Sequence, residues 1–347
     1  LATSGKGRAT VNGALVPVSL LRDLAPQLSV VHGQHEPQGL LDPADFEVRL
    51  RVPGDHATLA DALAAVIAGT RTLIYLLDDG TQELTPDLDL PDTHLAIEAA
   101  NQRRPVLLGD WRLGGNLNTR LSLSGLLLDG QLRLHGALGE ANLRHCSLTP
   151  GKGGIRHTGT GSQLWLRLTH CLCGPLRVSK AIAGVEGRNS VFDNGDAMAF
   201  ELPDTRLQLD RCTIFGASAA GELEASNSLF SAELKIARRQ EGCVRFCYVP
   251  PGSQTPRRYR CLPDLVTQGL PTAEAKSERV RVTPAFTSVS FNHWAYAQLR
   301  LSSAQELRTG AEDGAEMGVW NLLQQPQREA NLRQALDEYL RFGLEAG

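Results

Sequence analysis

Three aspartates and a scatter of cysteines carry the reactive chemistry of this sequence. Asp193 and Asp196 bracket the Asn-Gly of "DNGDAMAF", and Asp210 follows shortly after. Two carboxylates facing one groove can act as acid and base across a glycosidic bond, or hold a cation beside an acidic sugar. Asn-Gly between aspartates is first of all a turn signal. The neighbouring turns "TPGKGG" and "FGASAAG" add no second acidic pair at matching depth. Among the thiols, Cys243, Cys247 and Cys261 have a spacing that superficially resembles a zinc site, as do Cys171 and Cys173 beside His170. Within a strand, however, residues 171 and 173 point to one face and 170 to the other, so those three cannot converge on one ion without a bend.

Other templates fit less well. The glycines of "GKGGIRHTGTGS" make no dinucleotide fingerprint, and there is no nucleophile elbow or phosphate loop, so no cofactor is expected. Arg257, Arg258 and Arg260 in "PRRYR" can fork onto a carboxylate or phosphate, or contact a neighbouring protein. "RTGAEDGAEMGVWN" (308–321) lacks the alternating oxygen ligands of a calcium loop. It reads as a turn-rich connection that offers Met317 and Trp320 to a neighbour.

The elements that position these residues are repetitive. From about 121 to 248, short apolar alternations end in a small residue followed by a Gly, Asn or Asp turn. Aligned on Gly125, Cys146, Cys171, Ser190, Cys212, Ser228 and Cys247, they step by 21, 25, 19, 22, 16 and 19 residues. Second strands such as "LRLHG", "GIRHTG" and "PLRVS" fit between the marks. A β period near 20 is the signature of a parallel β-helix, whose coils bury their apolar faces only by stacking. Gly and Ser stand where Cys stands in sister coils, so the aligned thiols read as stacking residues rather than ligands. Apolar residues spaced by three and four in 55–69 predict a short helix that covers the open end of the stack.

The chain thus divides into a β-rich opening segment (1–53), a parallel β-helix (54–250) and a C-terminal extension (251–347). In the extension, "SERVRVTPAFTS" and "AYAQLRLSS" read as strands. Leu332, Leu336, Leu340 and Leu344 predict a terminal amphipathic helix whose Leu336, Tyr339, Leu340 and Phe342 could dock on a partner or a second copy. Both ends read as cut from a longer chain. The 347 residues carry a formal charge of -3, with no run long enough to span a membrane and no basic stripe of the kind a nucleic-acid backbone binder needs, so neither membrane nor nucleic acid is expected as a partner. Seven irregularly spaced cysteines suit buried thiols better than a disulfide scaffold.

From "DHATLADAL" and "TLIYLLDDGTQEL" through the coils, over about 55–250, the sequence resembles the pectate-lyase-like superfamily of right-handed parallel β-helices. The segments "EGCVRFCYVPPGSQTPRRYRC", "AYAQLRLSS", "RTGAEDGAEMGVWN" and "REANLRQALDEYLRFGLEAG", within 242–347, resemble the C-terminal part of large, mostly uncharacterised bacterial proteins from gene clusters for phage-tail-like contractile injection systems. The first resemblance implies an all-β solenoid, and no catalytic set of the pectate lyases carries over to matching positions. The second implies a non-enzymatic structural or receptor-facing subunit of a bacterial multi-protein particle, docking through its extension. Two further readings stand beside it: a polysaccharide lyase or glycoside hydrolase, and a passive binder of a surface glycan.

Overall fold

The computed structural model describes residues 9–11, 14–16, 43–84, 87–159, 163–327 and 330. The chain separates into two compact units, Leu1–Asp42 and Pro43–Gly347. Within the first, Ala9–Val11 and Ala14–Val16 pair as an antiparallel hairpin.

The second unit is a parallel β-solenoid followed by a folded extension. Three ladders of strands build it. The first runs through Val48–Val52, Arg71–Leu76, His94–Ala99, Arg120–Ser124, Glu140–Arg144, Trp165–Thr169 and Gly184–Arg188, then 206–210, 222–226, Gly242–Arg245 and Arg258–Tyr259. The second begins at Thr81–Glu83 and stacks Val106–Leu108, Leu127–Asp129, Ser147–Leu148 and Leu172–Cys173. It continues through 191–193, 213–215 and Leu229–Phe230, with bridges on to Tyr248 and Leu262. The third stacks Asp87–Asp89, Trp111–Gly115, Gln131–Gly136, Gly154–His157 and Leu176–Val178, then 198–202, 217–220 and Leu234–Ile236.

Strand alternation turns every second side chain inward, and identical positions stack from coil to coil. Leu121 and Leu123 thus lie over Ala141 and Leu143, then Leu166 and Leu168, all in one continuous core. Volumes compensate between rungs: Phe192 meets Phe200 at 4.6 Å, and a Cβ on Gly187 would come within 2.9 Å of the Phe192 ring. Turns into the third ladder are equally tight, since a Cβ at Gly153 would lie 2.1 Å from the carbonyl oxygen of Gly130.

The bend after the first ladder corrects one alignment. Pairing of Ser124 with Arg144 sets Gly125 opposite His145, and Leu126 opposite Cys146. Two adjacent columns result. The outer one (Gly125, His145, His170, Asn189, Arg211, Asn227, Phe246, Arg260) has φ between 46° and 75°. This is the left-handed region, which glycine and asparagine enter most easily. The inner one holds Leu126, Cys146, Cys171, Ser190, Cys212, Ser228, Cys247 and Cys261, all buried.

The solenoid also outruns the expected boundaries. Val48–Val52 is its first rung, ahead of residue 54, and Arg258–Tyr259 is paired beyond residue 250. Pro250 and Pro251 sit in a turn between coils, so their missing N–H groups interrupt no ladder. The expected opening helix is shorter, Leu59–Ala64, capped by the Thr58 hydroxyl and burying Leu59, Ala62 and Leu63 in the solenoid core.

Beyond Leu262 come short helices at Asp264–Thr267, Thr272–Arg281 and Gln305–Arg308, and a 3-10 turn at Val319–Leu323. The strand expected in "SERVRV" is therefore the end of a helix. Arg281 pairs with Glu278 one turn back at 2.8 Å, and Val282 alone turns into the core while Val280 faces solvent. "AYAQLRLSS" makes only isolated bridges, Leu299 to Phe286 and Tyr296 to Ser288. No helix among the described residues is long and apolar enough to cross a membrane.

Candidate functional site

At the bend, the inner-column side chains bond to the backbone. The thiols of Cys146, Cys212 and Cys247 donate to the carbonyls of Arg144, Asp210 and Arg245 at 3.1–3.3 Å. Ser190 donates to Arg188 at 2.7 Å and accepts the amide of Cys171, one coil earlier, at 3.0 Å. Burial pushes the Cys146 thiol up to about 11 and that of Cys212 to about 12, far from the thiolate that nucleophilic or ligand chemistry requires. Cys247 and Cys261 belong to this column, whereas Cys243 stands half-buried on the first ladder opposite Glu224. His170 lies in the outer column, Cys171 in the inner one, and Cys173 on the second ladder. Among the described residues no group of three or more His, Cys, Asp or Glu side chains is placed to hold a metal ion. On the outer side of the bend the His145 and His170 rings stack at 4.9 Å, and the Arg260 guanidinium lies over Phe246 at 5.7 Å.

The structure sends the three candidate aspartates to different places. Asp193 ends a second-ladder rung, is buried, and accepts hydrogen bonds from the Tyr296 phenol and the Gly195 amide. Asp196 is exposed in the stretch that follows, where the strand register shifts between Asp193 and Met198. Asp210 lies on the first ladder, accepting from Ser226 at 2.8 Å and Asn227 at 3.1 Å. A shallow groove of about 150 Å³ does run beside Asp210, with Glu186 and Glu224 in its walls. Its acids are already paired: Arg188 reaches Glu186 at 2.6 Å, and Arg206 reaches Glu224 at 3.0 Å. Hydrogen bonds from Gln208 and then Arg206 hold the Glu224 carboxyl below the usual carboxylate range. A general acid on a sugar needs the opposite shift.

The extension folds back over the outward face of the second ladder. Phe286 meets Phe215 edge-on at 4.9 Å, and the Val319 amide donates to Thr213 at 3.1 Å. Gly318 and Glu312 donate to the carbonyl and side-chain oxygens of Asn227. Leu229, Tyr248 and Leu262 bury their outward side chains against Val282, Leu299, Leu307 and Met317. The 308–321 loop is therefore no exposed connection. Met317 is buried because it fills this second apolar layer, and the Trp320 indole donates to Tyr296 at 2.9 Å. Arg258 takes an inward position on the last rung and turns its fork to Thr255, Ser253 and Asp264, closing the end of the core. Arg257 is exposed. Leu336, Tyr339, Leu340 and Phe342 lie outside the described residues.

Where the extension meets the bend, His170, Leu172, Phe291, Trp294, Tyr296 and Trp320 line an aromatic hollow of about 320 Å³.

The third ladder carries a feature that linear reading misses. Arg112, Arg133, Arg156 and Arg177 stand in register on its outward face. They are 21, 23 and 21 residues apart, so only stacking assembles the basic stripe that the sequence appeared to lack. Its signal lies in "LRLHG", "GIRHTG" and "PLRVS", each with an arginine flanked by inward-facing residues.

No known family model matches the chain, and neither does any curated protein.

Proposed function

We propose that this chain is a non-enzymatic β-helix subunit of a phage-tail-like contractile injection particle, joined to its neighbour through the C-terminal extension and turning a solenoid flank toward a surface glycan. The assignment to such a particle rests on the resemblance of the tail sequence. One observation carries the docking role: exposed apolar side chains concentrate on the extension. Leu265, Leu270, Val280, Val289, Leu301 and Leu322 are exposed there, and Trp294 is 82% accessible. Trp294 and Leu322 share the wall of the aromatic hollow, and a contiguous exposed apolar patch marks an interaction site. The outward faces of the first ladder, by contrast, carry paired charges such as Arg167 with Glu186 and Arg206 with Glu224.

Tagged chain co-expressed with the particle subunits is expected to co-sediment with assembled particles. The double variant Trp294→Ser, Leu322→Ser should stay free in the supernatant with its melting temperature retained. Wild-type chain found only in the supernatant overturns the docking role. Release of reducing ends from a surface polysaccharide, abolished by Asp196→Ala, returns the reading to a lyase or glycoside hydrolase.

A further inference from the structure

We infer that the aromatic hollow beside the bend is a socket for an arginine side chain presented by a protein partner, an inference that rests on the docking role of the extension and names what the partner presents. Phe291, Trp294, Tyr296 and Trp320 supply its aromatic walls, and Leu172 and Val191 of the second ladder an apolar base. Those walls are held in place. Phe291 meets Tyr296 edge-on at 6.1 Å, the Trp320 indole is tied to the Tyr296 carbonyl, and Trp294 stacks on the His293 ring at 5.2 Å. The His293 ring is itself fixed, since its Nδ1 accepts the Ala295 amide at 3.0 Å. A preformed cage of rings attracts a cation through their negative faces, tryptophan most strongly. At about 320 Å³ the hollow takes one side chain rather than a helix.

Three further observations choose the occupant. Asn189 lines the hollow from the outer bend column, and its side-chain oxygen is buried with no hydrogen-bond partner among the described residues. Asn227, two rungs on in the same column, has both side-chain atoms engaged: Oδ1 accepts the Glu312 amide and Nδ2 donates to Asp210. A buried acceptor without a donor costs stability, so Asn189 calls for an N–H from outside the chain. The charge around the hollow is also one-sided. Among the described residues no lysine or arginine lines it, while the Asp193 carboxylate lies at the phenol end of Tyr296 and makes no ion pair. Finally, the molecule already seats arginines on rings: Arg167 lies over Trp165 at 5.5 Å, as Arg260 does over Phe246. A guanidinium combines what the hollow requires, because it stacks flat on an indole, is weakly hydrated and carries several N–H donors for Asn189. A lysine ammonium is more strongly hydrated, and the quaternary ammonium of a lipid headgroup has no N–H to offer.

The test follows the indole N–H signals of the full chain by NMR while an acetylated, amidated Gly-Arg-Gly peptide is added. The Trp294 and Trp320 signals should shift saturably. The same peptide with citrulline, the uncharged isostere of arginine, should bind at least about fivefold more weakly. Asn189→Gly suits a φ of 46° and removes the acceptor. Trp294→Leu keeps apolar surface and removes a ring face, with the Trp320 signal left to report. Each variant should lower affinity severalfold with circular dichroism unchanged. The inference is overturned by signals that ignore the arginine peptide, by a citrulline peptide bound as tightly, or by a lysine peptide bound more tightly. It is equally overturned by either variant binding as wild type does, or by phosphatidylcholine vesicles that displace the peptide. Chain that joins particles yet ignores the peptide overturns the socket alone. Chain that takes the peptide yet never joins a particle upholds the socket and removes the particle assignment.

Discussion

The Tyr296 phenol donates a hydrogen bond to the Asp193 carboxylate across 103 residues of chain. Both groups are buried, and burial, then the hydrogen bond to Asp193 and its charge, push the phenol far above its ordinary range. The carboxylate that looked most like a catalyst thus fastens the extension to a solenoid rung. Asp193→Asn and Tyr296→Phe should each loosen the extension, seen as faster proteolysis within 285–323 and a lower melting temperature. A double-mutant cycle should return a coupling of about 1.5–3 kcal/mol, the range for a hydrogen bond to a charged group. Additive effects remove the latch.

The thiols differ in access. Cys243 is half-buried while the other six are buried. A thiol-reactive dye on native protein should label one equivalent, and Cys243→Ser should abolish the fast phase. Rapid labelling of Cys146 or Cys212 would contradict their place in the bend column.

Glu316 is buried beside Met317, and burial raises its carboxyl to about 7 against the partial help of the Leu299 amide and Arg308. The folded form therefore holds a proton that the unfolded chain, titrating near 4.3, releases. Stability should fall as pH rises from about 4.3 to about 7 and stay flat above, by an amount on the order of 3 kcal/mol. Glu316→Gln should remove this slope and stabilise the protein at neutral pH. Denaturant titrations at several pH values measure it, and an unchanged slope in the variant refutes the assignment.

His157 points inward, where the neighbouring rungs place Leu134 and Val178, and neither of its ring nitrogens has a hydrogen-bond partner. Burial lowers its pKa and keeps the ring neutral. His157→Leu should raise the melting temperature, since replacing an unsatisfied polar group by an apolar one removes its desolvation penalty. The gain should grow as pH falls below about 6.5, where the unfolded histidine charges. A lower melting temperature at neutral pH would falsify this.

Much of the solenoid is legible because stacking demands the same residue class at the same place in every coil. The bend shows the limit of that legibility. Gly125 and Cys146 are both small, yet they meet different constraints at adjacent positions. The outer position needs a residue that tolerates positive φ, while the inner one needs a short group that bonds to the backbone. Reading size alone slips the alignment by one. The second ladder held a usable signal: Val191 with Phe192, Thr213 with Ile214 and Leu229 with Phe230 are adjacent buried pairs, as a strand covered on both faces requires. The partner of Asp193 had no local signal, because Tyr296 reaches it only after the extension folds back. The arginine column became visible once register was known.

Among the described residues, the contacts of the extension fall on the later coils, between His170 and Leu262. Among the described residues the earlier rungs take no support from it, and each stacks on its immediate neighbours. A coil gained or lost upstream of His170 would lengthen or shorten the rod by one strand spacing, about 4.8 Å, without disturbing the seam. The seam and the reach of the molecule can therefore be altered independently, so that anchoring stays constant while length drifts.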